Sequence, residues 1–344
     1  PRFLSFLGST FMIRRVSLAL LLCCLSGFAA ASGARVFEFE YEVLTAQFPS
    51  DQAVDIYIPV PTAQPGQVIL DETLQSQPKG KTGIERQHGN TFYHIHRPAG
   101  DATPLSASLK WVVSRDLVTA SGSADVNAQL QEKFLGPNRL VPVGHEILDP
   151  IRSEIHAQRL SDSPEDTARA IYDWVVDNVE YKKVGTGWGN GDTFWACNER
   201  YGNCTDFHAL FISLARTEGI PARFEIGFPV PSDRNQGQIG GYHCWVQFYL
   251  PERGWVPIDA SEAAKAPQKR ELFYGSHPAD RIHFTTGRDL VLSEGSAAAP
   301  LNYFVYPYVE VGGKPWQGKL PTRFSFSDVS GAALSSIRLM QNNE

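Results

Sequence analysis

The chain has no basic tract and few thiols. Among its 344 residues are five cysteines and two methionines, and 31 basic residues stand against 37 acidic ones, for a formal charge of -6. No run of Lys or Arg could track a phosphate backbone, which excludes nucleic acid as a partner. Long apolar runs are lacking too. The run from Val16 to Ala31 covers 16 residues, short of the about 20 that a membrane-crossing helix needs. A phosphate cradle is also missing, because Gly185-Thr186-Gly187-Trp188-Gly189-Asn190-Gly191 is not followed by Gly-Lys-Ser/Thr and so reads as a connection. What remains is 42% hydrophobic residues, enough for a sizeable globular core and, at this length, for about two domains.

The first methionine is Met12, and Pro1 to Phe11 is set aside as upstream sequence. Arg14 and Arg15, the apolar run from Val16 through Leu25, and the small residues Ala29-Ala30-Ala31 follow one another in the order of a secretory leader. Cleavage is expected near Ala31, with the mature chain periplasmic or secreted and without a stable membrane span. Lipidation is disfavoured, since Leu22 precedes Cys23 where a small residue is wanted. Removal of the leader leaves Cys197, Cys204 and Cys244 in an oxidising compartment. A Cys197–Cys244 bridge is one use for two of them. An odd thiol then remains, and it needs a reason.

From Val36 to about Arg115 short alternating segments predict strands: Phe37 to Val43, Val54 to Ile58, Phe92 to His96 and Leu109 to Val113. Residues 32–120 are read as an N-terminal β-rich domain. His94 and His96 share a strand face there, but with no carboxylate or cysteine cluster beside them they are read as solvated strand residues, and no metal is assigned. Ser121-Gly122-Ser123-Ala124-Asp125 marks a linker. Helical spacing then takes over. Ser163-Pro164-Glu165-Asp166 starts a helix with a cap, a proline and two acids, and Ala168, Ile171, Val175 and Val179 form its apolar stripe.

Asn203 caps a second helix that opens with Cys204, carries Phe207, Leu210, Phe211 and Leu214 on one face, and stops at Gly219-Ile220-Pro221. A cysteine at a helix N-terminus meets unpaired N–H groups and the positive end of the helix dipole, both of which favour the thiolate. Further on, His243 alternates with Cys244 on a strand, the turn Pro251-Glu252-Arg253-Gly254 reverses the chain, and Trp255 to Asp259 returns. If Tyr249 pairs with Trp255, Asp259 lies opposite Trp245 and diagonal to His243, about 7–8 Å away at the backbone. A slip of one residue would part them. Thiol, imidazole and carboxylate together supply nucleophile, base and orienting group for acyl transfer. A zinc site from Cys197, Cys204, His208 and His243 is the rival use, but its spacing fits no common arrangement. Asp206 and His208, in the first turns of the helix, are read as cap and lining.

Three strings carry a resemblance. Tyr201-Gly202-Asn203-Cys204-Thr205-Asp206-Phe207-His208-Ala209-Leu210 resembles the nucleophile helix of the transglutaminase-like superfamily. His243-Cys244-Trp245-Val246 resembles its His-x-Trp-Val strand, and Gly254-Trp255-Val256-Pro257-Ile258-Asp259 its Gly-Trp-Val-x-x-Asp strand. Cys244 departs from the small residue common there, and Ala260 from the proline that often follows the Asp. The resemblance implies an α+β fold: a papain-like transglutaminase core over 121–265, an N-terminal β-sandwich-like domain, and a β-rich extension and tail over 266–344. It implies Cys204, His243 and Asp259 as catalytic triad and an oxyanion bound by the nucleophile's own N–H with a second donor, for which Trp188 and Trp195 are candidates; no cofactor is assigned. Trp245 is expected to line the site. The substrate would be an amide of a peptide or protein, hydrolysed, deamidated or crosslinked through a thioester. A non-catalytic exported module that keeps the groove for binding is the alternative of a different class.

Overall fold

The computed structural model describes residues 34–122, 132–292 and 299–330. The leader and part of the linker lie outside them. The predicted strands form, and their alternation sorts the side chains: Phe37, Phe39, Tyr41 and Val43 of Arg35–Ala46 are buried while Glu38, Glu40 and Glu42 between them are not. That strand is central in a five-stranded antiparallel sheet, in the order Gln236–Gln238, Thr322–Asp328, Arg35–Ala46, Leu105–Arg115 and Gln67–Gln77. A second five-stranded antiparallel sheet runs Lys314–Pro315, Tyr308–Val311, Val54–Val60, Thr91–Arg97 and Lys81–Ile84. A third, of four strands, runs Gly254–Ile258, His243–Leu250, Ala222–Pro229 and Arg281–Thr286. Strands after residue 266 thus complete all three sheets.

The helices gather around the third sheet. Pro164–Asn178 starts where its signals put it, with the Ser163 hydroxyl accepting from the Asp166 N–H at 3.1 Å, and it buries Ala168, Ile171 and Val175. Cys204–Thr217 is buried along almost its whole length, and its Phe211 ring meets Phe248 of the neighbouring sheet at 5.9 Å. This is an α+β fold. No helix among the described residues is long and apolar enough to cross a membrane.

Two features fix the third sheet in place. Gly227 pairs with His243 on one side and His283 on the other, and a Cβ there would lie 1.9 Å from the Ile282 carbonyl oxygen. Only glycine lets the Arg281–Thr286 strand approach so closely. Beside it, the Phe228 ring packs on Phe324 at 4.4 Å, Phe284 at 5.2 Å and Phe39 at 5.3 Å. One aromatic cluster therefore joins the third sheet to the first. Phe228→Ala should lower unfolding free energy by about 3–5 kcal/mol, the cost of deleting a fully buried aromatic ring. Urea denaturation measures it, and a loss under about 1 kcal/mol would show that the two sheets do not depend on this contact.

Candidate active site

The hairpin takes the register that the turn suggested. Tyr249 pairs with Trp255 and Val246 with Ile258, which sets Asp259 one step further on, on the face of Trp245 and His243. His243 Nε2 and Asp259 Oδ2 are 2.7 Å apart. The face is not exposed, however. Every residue of His243–Leu250 is buried, because the His243 side is covered by polar partners: Trp245 Nε1 donates to Glu225 at 2.7 Å and Gln247 donates to the same carboxylate.

Cys204 is the first residue of its helix, 2% exposed. The cap is a reciprocal pair: the Asn203 side chain accepts from the Thr205 N–H at 2.9 Å, and Asp206 accepts from the Asn203 N–H at 2.9 Å. Asp206 goes beyond capping. Its carboxylate also accepts from the Gly189 and Gly191 N–H groups at 2.7 and 3.0 Å, so it ties the glycine-rich loop to the helix start. Gly202 makes room for it, since a Cβ there would lie 2.2 Å from the carboxylate. The loop's carbonyls are held from the other side, Gly191 by Arg288 at 2.8 Å and Gly189 by the Tyr303 hydroxyl at 3.1 Å.

Charge follows from these positions. Burial alone would keep the Cys204 thiol protonated, but hydrogen bonds from Cys244 and His243, together with the charge of His243, hold its pKa well below the ordinary value. Burial opposes protonation of His243 as well. The Asp259 charge and hydrogen bond, with Cys204 alongside, outweigh it and raise the imidazole to about 10. Both shifts favour the thiolate and imidazolium over the thiol and neutral imidazole. Since Nε2 faces Asp259, the other ring nitrogen is left for the thiol. Asp259 is fully buried, yet the His243 charge and hydrogen bond and the Arg281 charge hold its pKa well below the ordinary value against that burial. Arg281 donates to Oδ2 at 3.0 Å, and Ser261 and the Glu262 N–H donate to Oδ1 at 3.0 Å each.

Residues 154–260 match the family model of the transglutaminase-like superfamily. This segment is a transglutaminase-like core. A protein from Cytophaga hutchinsonii described as a candidate cysteine protease shares the fold, with a TM-score of 0.54 over 87% of this chain and 99% of that one at 20% identity. An uncharacterized protein of Haemophilus influenzae is 32% identical over 200 residues, 49% of this chain and 54% of that protein. YebA of Bacillus subtilis, also uncharacterized, is 30% identical over 77 residues, 20% of this chain and 10% of that protein. The chain therefore spans about half the length of the first of these relatives and a tenth of the second.

Around the transglutaminase-like core the remaining residues divide. Trp245 stands beside His243, ring centres 6.1 Å apart, with the Arg281 guanidinium over its own ring at 5.0 Å. His208 is fully buried, its Nδ1 3.3 Å from the Cys244 sulfur and its Nε2 3.5 Å from Asp259 Oδ1, and burial pushes its pKa down to about 4. It is a neutral packing group against the carboxylate. Both tryptophans considered as oxyanion donors spend their indole N–H on local backbone: Trp188 donates to the Gly185 carbonyl at 3.1 Å and Trp195 to the Tyr201 carbonyl at 3.0 Å. A donor role for either would need that bond broken. Cys197, Cys204 and Cys244 are all free, and Cys244 lies against Cys204 and His208, so the Cys197–Cys244 bridge does not form.

Sequence reading passed over Arg281 and the two tyrosines. Tyr242 accepts from the Asn203 side chain at 3.0 Å, and its ring lies 5.6 Å from that of Tyr303. Tyr242 directly precedes His243 and was within reach as a signal, whereas nothing local distinguishes Arg281 or Tyr303.

A thiolate that persists in acid should be visible in its alkylation. Between pH 8 and pH 6 a free thiol of pKa about 8.5 loses on the order of 80-fold in iodoacetamide rate. Cys204 should lose only a few-fold, because the fall begins near its depressed pKa. Cys197, which burial pushes up to about 11, is the internal control. The ratio of rates cancels accessibility, and mass spectrometry of the labelled peptides reads both. A Cys204 rate that fell in parallel with Cys197 would show that the thiol is protonated at neutral pH.

Proposed function

We propose that the chain is a thiol-dependent acyl-transfer enzyme acting on an amide of a peptide or protein, with Cys204 as nucleophile, His243 as general acid and base, and Asp259 as the orienting carboxylate. The observation that carries this reading is the 2.7 Å contact between His243 and Asp259 beside a depressed-pKa thiol at a helix N-terminus. The thiolate sulfur attacks the carbonyl carbon, the developing oxyanion is stabilised by the Cys204 backbone N–H at the helix start, and the imidazolium gives its proton to the departing amine as the C–N bond breaks. Water or a second amine then attacks the thioester, giving up its proton to the neutral imidazole. Hydrolysis, deamidation and crosslinking differ only in that acceptor and in the amide attacked. The mature chain is proposed to work in the periplasm or outside the cell.

A screen of peptides and amines, reading ammonia release and mass change together, distinguishes these outcomes. Cys204→Ala should abolish turnover and His243→Ala nearly so, while Asp259→Asn should retain more, since packing preserves part of the orientation. From sequence all three changes are expected to spare the fold. The structure revises this for Asp259. Its charge is the partner of Arg281, itself 3% exposed, and removing one member of a buried pair costs about 3 kcal/mol or more. Asp259→Asn should therefore melt well below wild type. Turnover unaffected by Cys204→Ala would overturn the reading, and a protein inert on every peptide would favour the groove as a binding module.

A further inference from the structure

A second cluster of ligating side chains lies away from the thiol, on the second five-stranded sheet. Val54–Val60 and Thr91–Arg97 pair antiparallel with Asp55 opposite His96 and Tyr57 opposite His94. Paired residues share a face, and so do residues two apart on a strand, so Asp55, His94 and His96 all project from the same side. The side chains converge. His94 Nε2 and His96 Nδ1 each lie 2.8 Å from the same oxygen, Asp55 Oδ1, and the three donor atoms all fall within 4.8 Å of one another. His94 is braced by Tyr57, whose ring stacks on it at 4.5 Å with 7° between the planes. His96 is half exposed, at 51%, which leaves the cluster open to an arriving ion.

Reading along the chain set these histidines aside for want of a carboxylate. The strand register supplies one from 39 residues before His94.

We propose that Asp55, His94 and His96 bind a divalent cation of the zinc class, with at least one coordination position left to solvent. Two imidazole nitrogens and one carboxylate oxygen suit zinc and its transition-metal neighbours, whereas calcium and magnesium prefer all-oxygen sets. A single ion would replace the two protons that now lie between the imidazoles and the shared oxygen, with ligand distances near 2.0–2.2 Å reached by small side-chain rotations. The charges around the cluster permit this. Glu310 is the register partner of Asp55 on the other side and accepts from the Tyr308 hydroxyl at 3.0 Å, adding a second carboxylate to the neighbourhood. Lys81, the partner of His94 on the edge strand, is exposed and can turn its ammonium to water.

The test is zinc titration of tag-free mature protein against a chromophoric chelator, after alkylation of Cys204 so that the thiolate cannot contribute. One equivalent should bind at micromolar protein. His96→Gln and Asp55→Asn should each weaken binding by about tenfold or more, and added zinc should raise the melting temperature of the unsubstituted protein but not of His96→Gln. His96 is the more informative position, because its exposure makes misfolding of the variant no explanation for lost zinc. No uptake by the unsubstituted protein, or equal affinity in His96→Gln, would overturn the proposal.

Discussion

The arrangement rests on a carboxylate that has no access to water. Asp259 sits where a strand ends and a helix begins, and its two oxygens accept from four donors: His243, Arg281, Ser261 and the Glu262 backbone. An ionised carboxylate in such a place is tolerated only when its charge and its lone pairs are both answered. Each partner is tied to a different structural decision. His243 requires the hairpin register, Glu262 requires the helix to start at Ala260, and Arg281 requires the neighbouring strand to pass close by Gly227. The carboxylate thereby makes the register costly to change, since a slip would strand a buried charge as well as move apolar groups to the wrong face.

Asp206 is another fully buried carboxylate beside the thiol, and it is answered differently. Burial raises its pKa, and its three partners are the backbone N–H groups of Gly189, Gly191 and Asn203. No cation side chain bonds to it directly among the described contacts. It acts as a clasp between loop and helix, whereas Asp259 sets the charge state of an imidazole. Two acids that look equivalent in sequence are separated in role by whether N–H dipoles or charged side chains surround them.

What was legible in the sequence was local. The helix opening at Cys204 followed from Asn203, the apolar spacing and the Gly219 stop, and the His243–Asp259 pairing followed from the turn at Pro251 to Gly254, because a short turn fixes register. The helix Pro164–Asn178 likewise carried its own start. The contacts that were not legible join segments far apart in the chain. Arg281 reaches Asp259 across a sheet, Tyr303 reaches the loop at Gly189, and Asp55 reaches His94 and His96 through strand pairing. No periodicity encodes such encounters. The indole N–H groups show the same limit: spacing can suggest Trp188 and Trp195 as donors, but it cannot say where an N–H points. Cys244 alternates with His243 along its strand, but that its sulfur meets His208 and Cys204 is decided only by the packing of helix on sheet.

The charges of the site also constrain the order of its chemistry. With the Cys204 thiolate and Asp259 negative and His243 and Arg281 positive, the forms that the proposed reading requires, the buried set would be neutral at rest. His243 owes its raised pKa partly to Cys204. In the proposed reaction, forming a thioester would remove the negative charge on sulfur, and the set would then hold one positive charge too many in a place with little water to screen it. The imidazolium is the only member that can release a proton, since Arg281 stays charged. In the proposed reaction, acylation would therefore favour the proton's departure with the leaving amine and leave a neutral imidazole, still oriented by Asp259, as the base for the acceptor that follows.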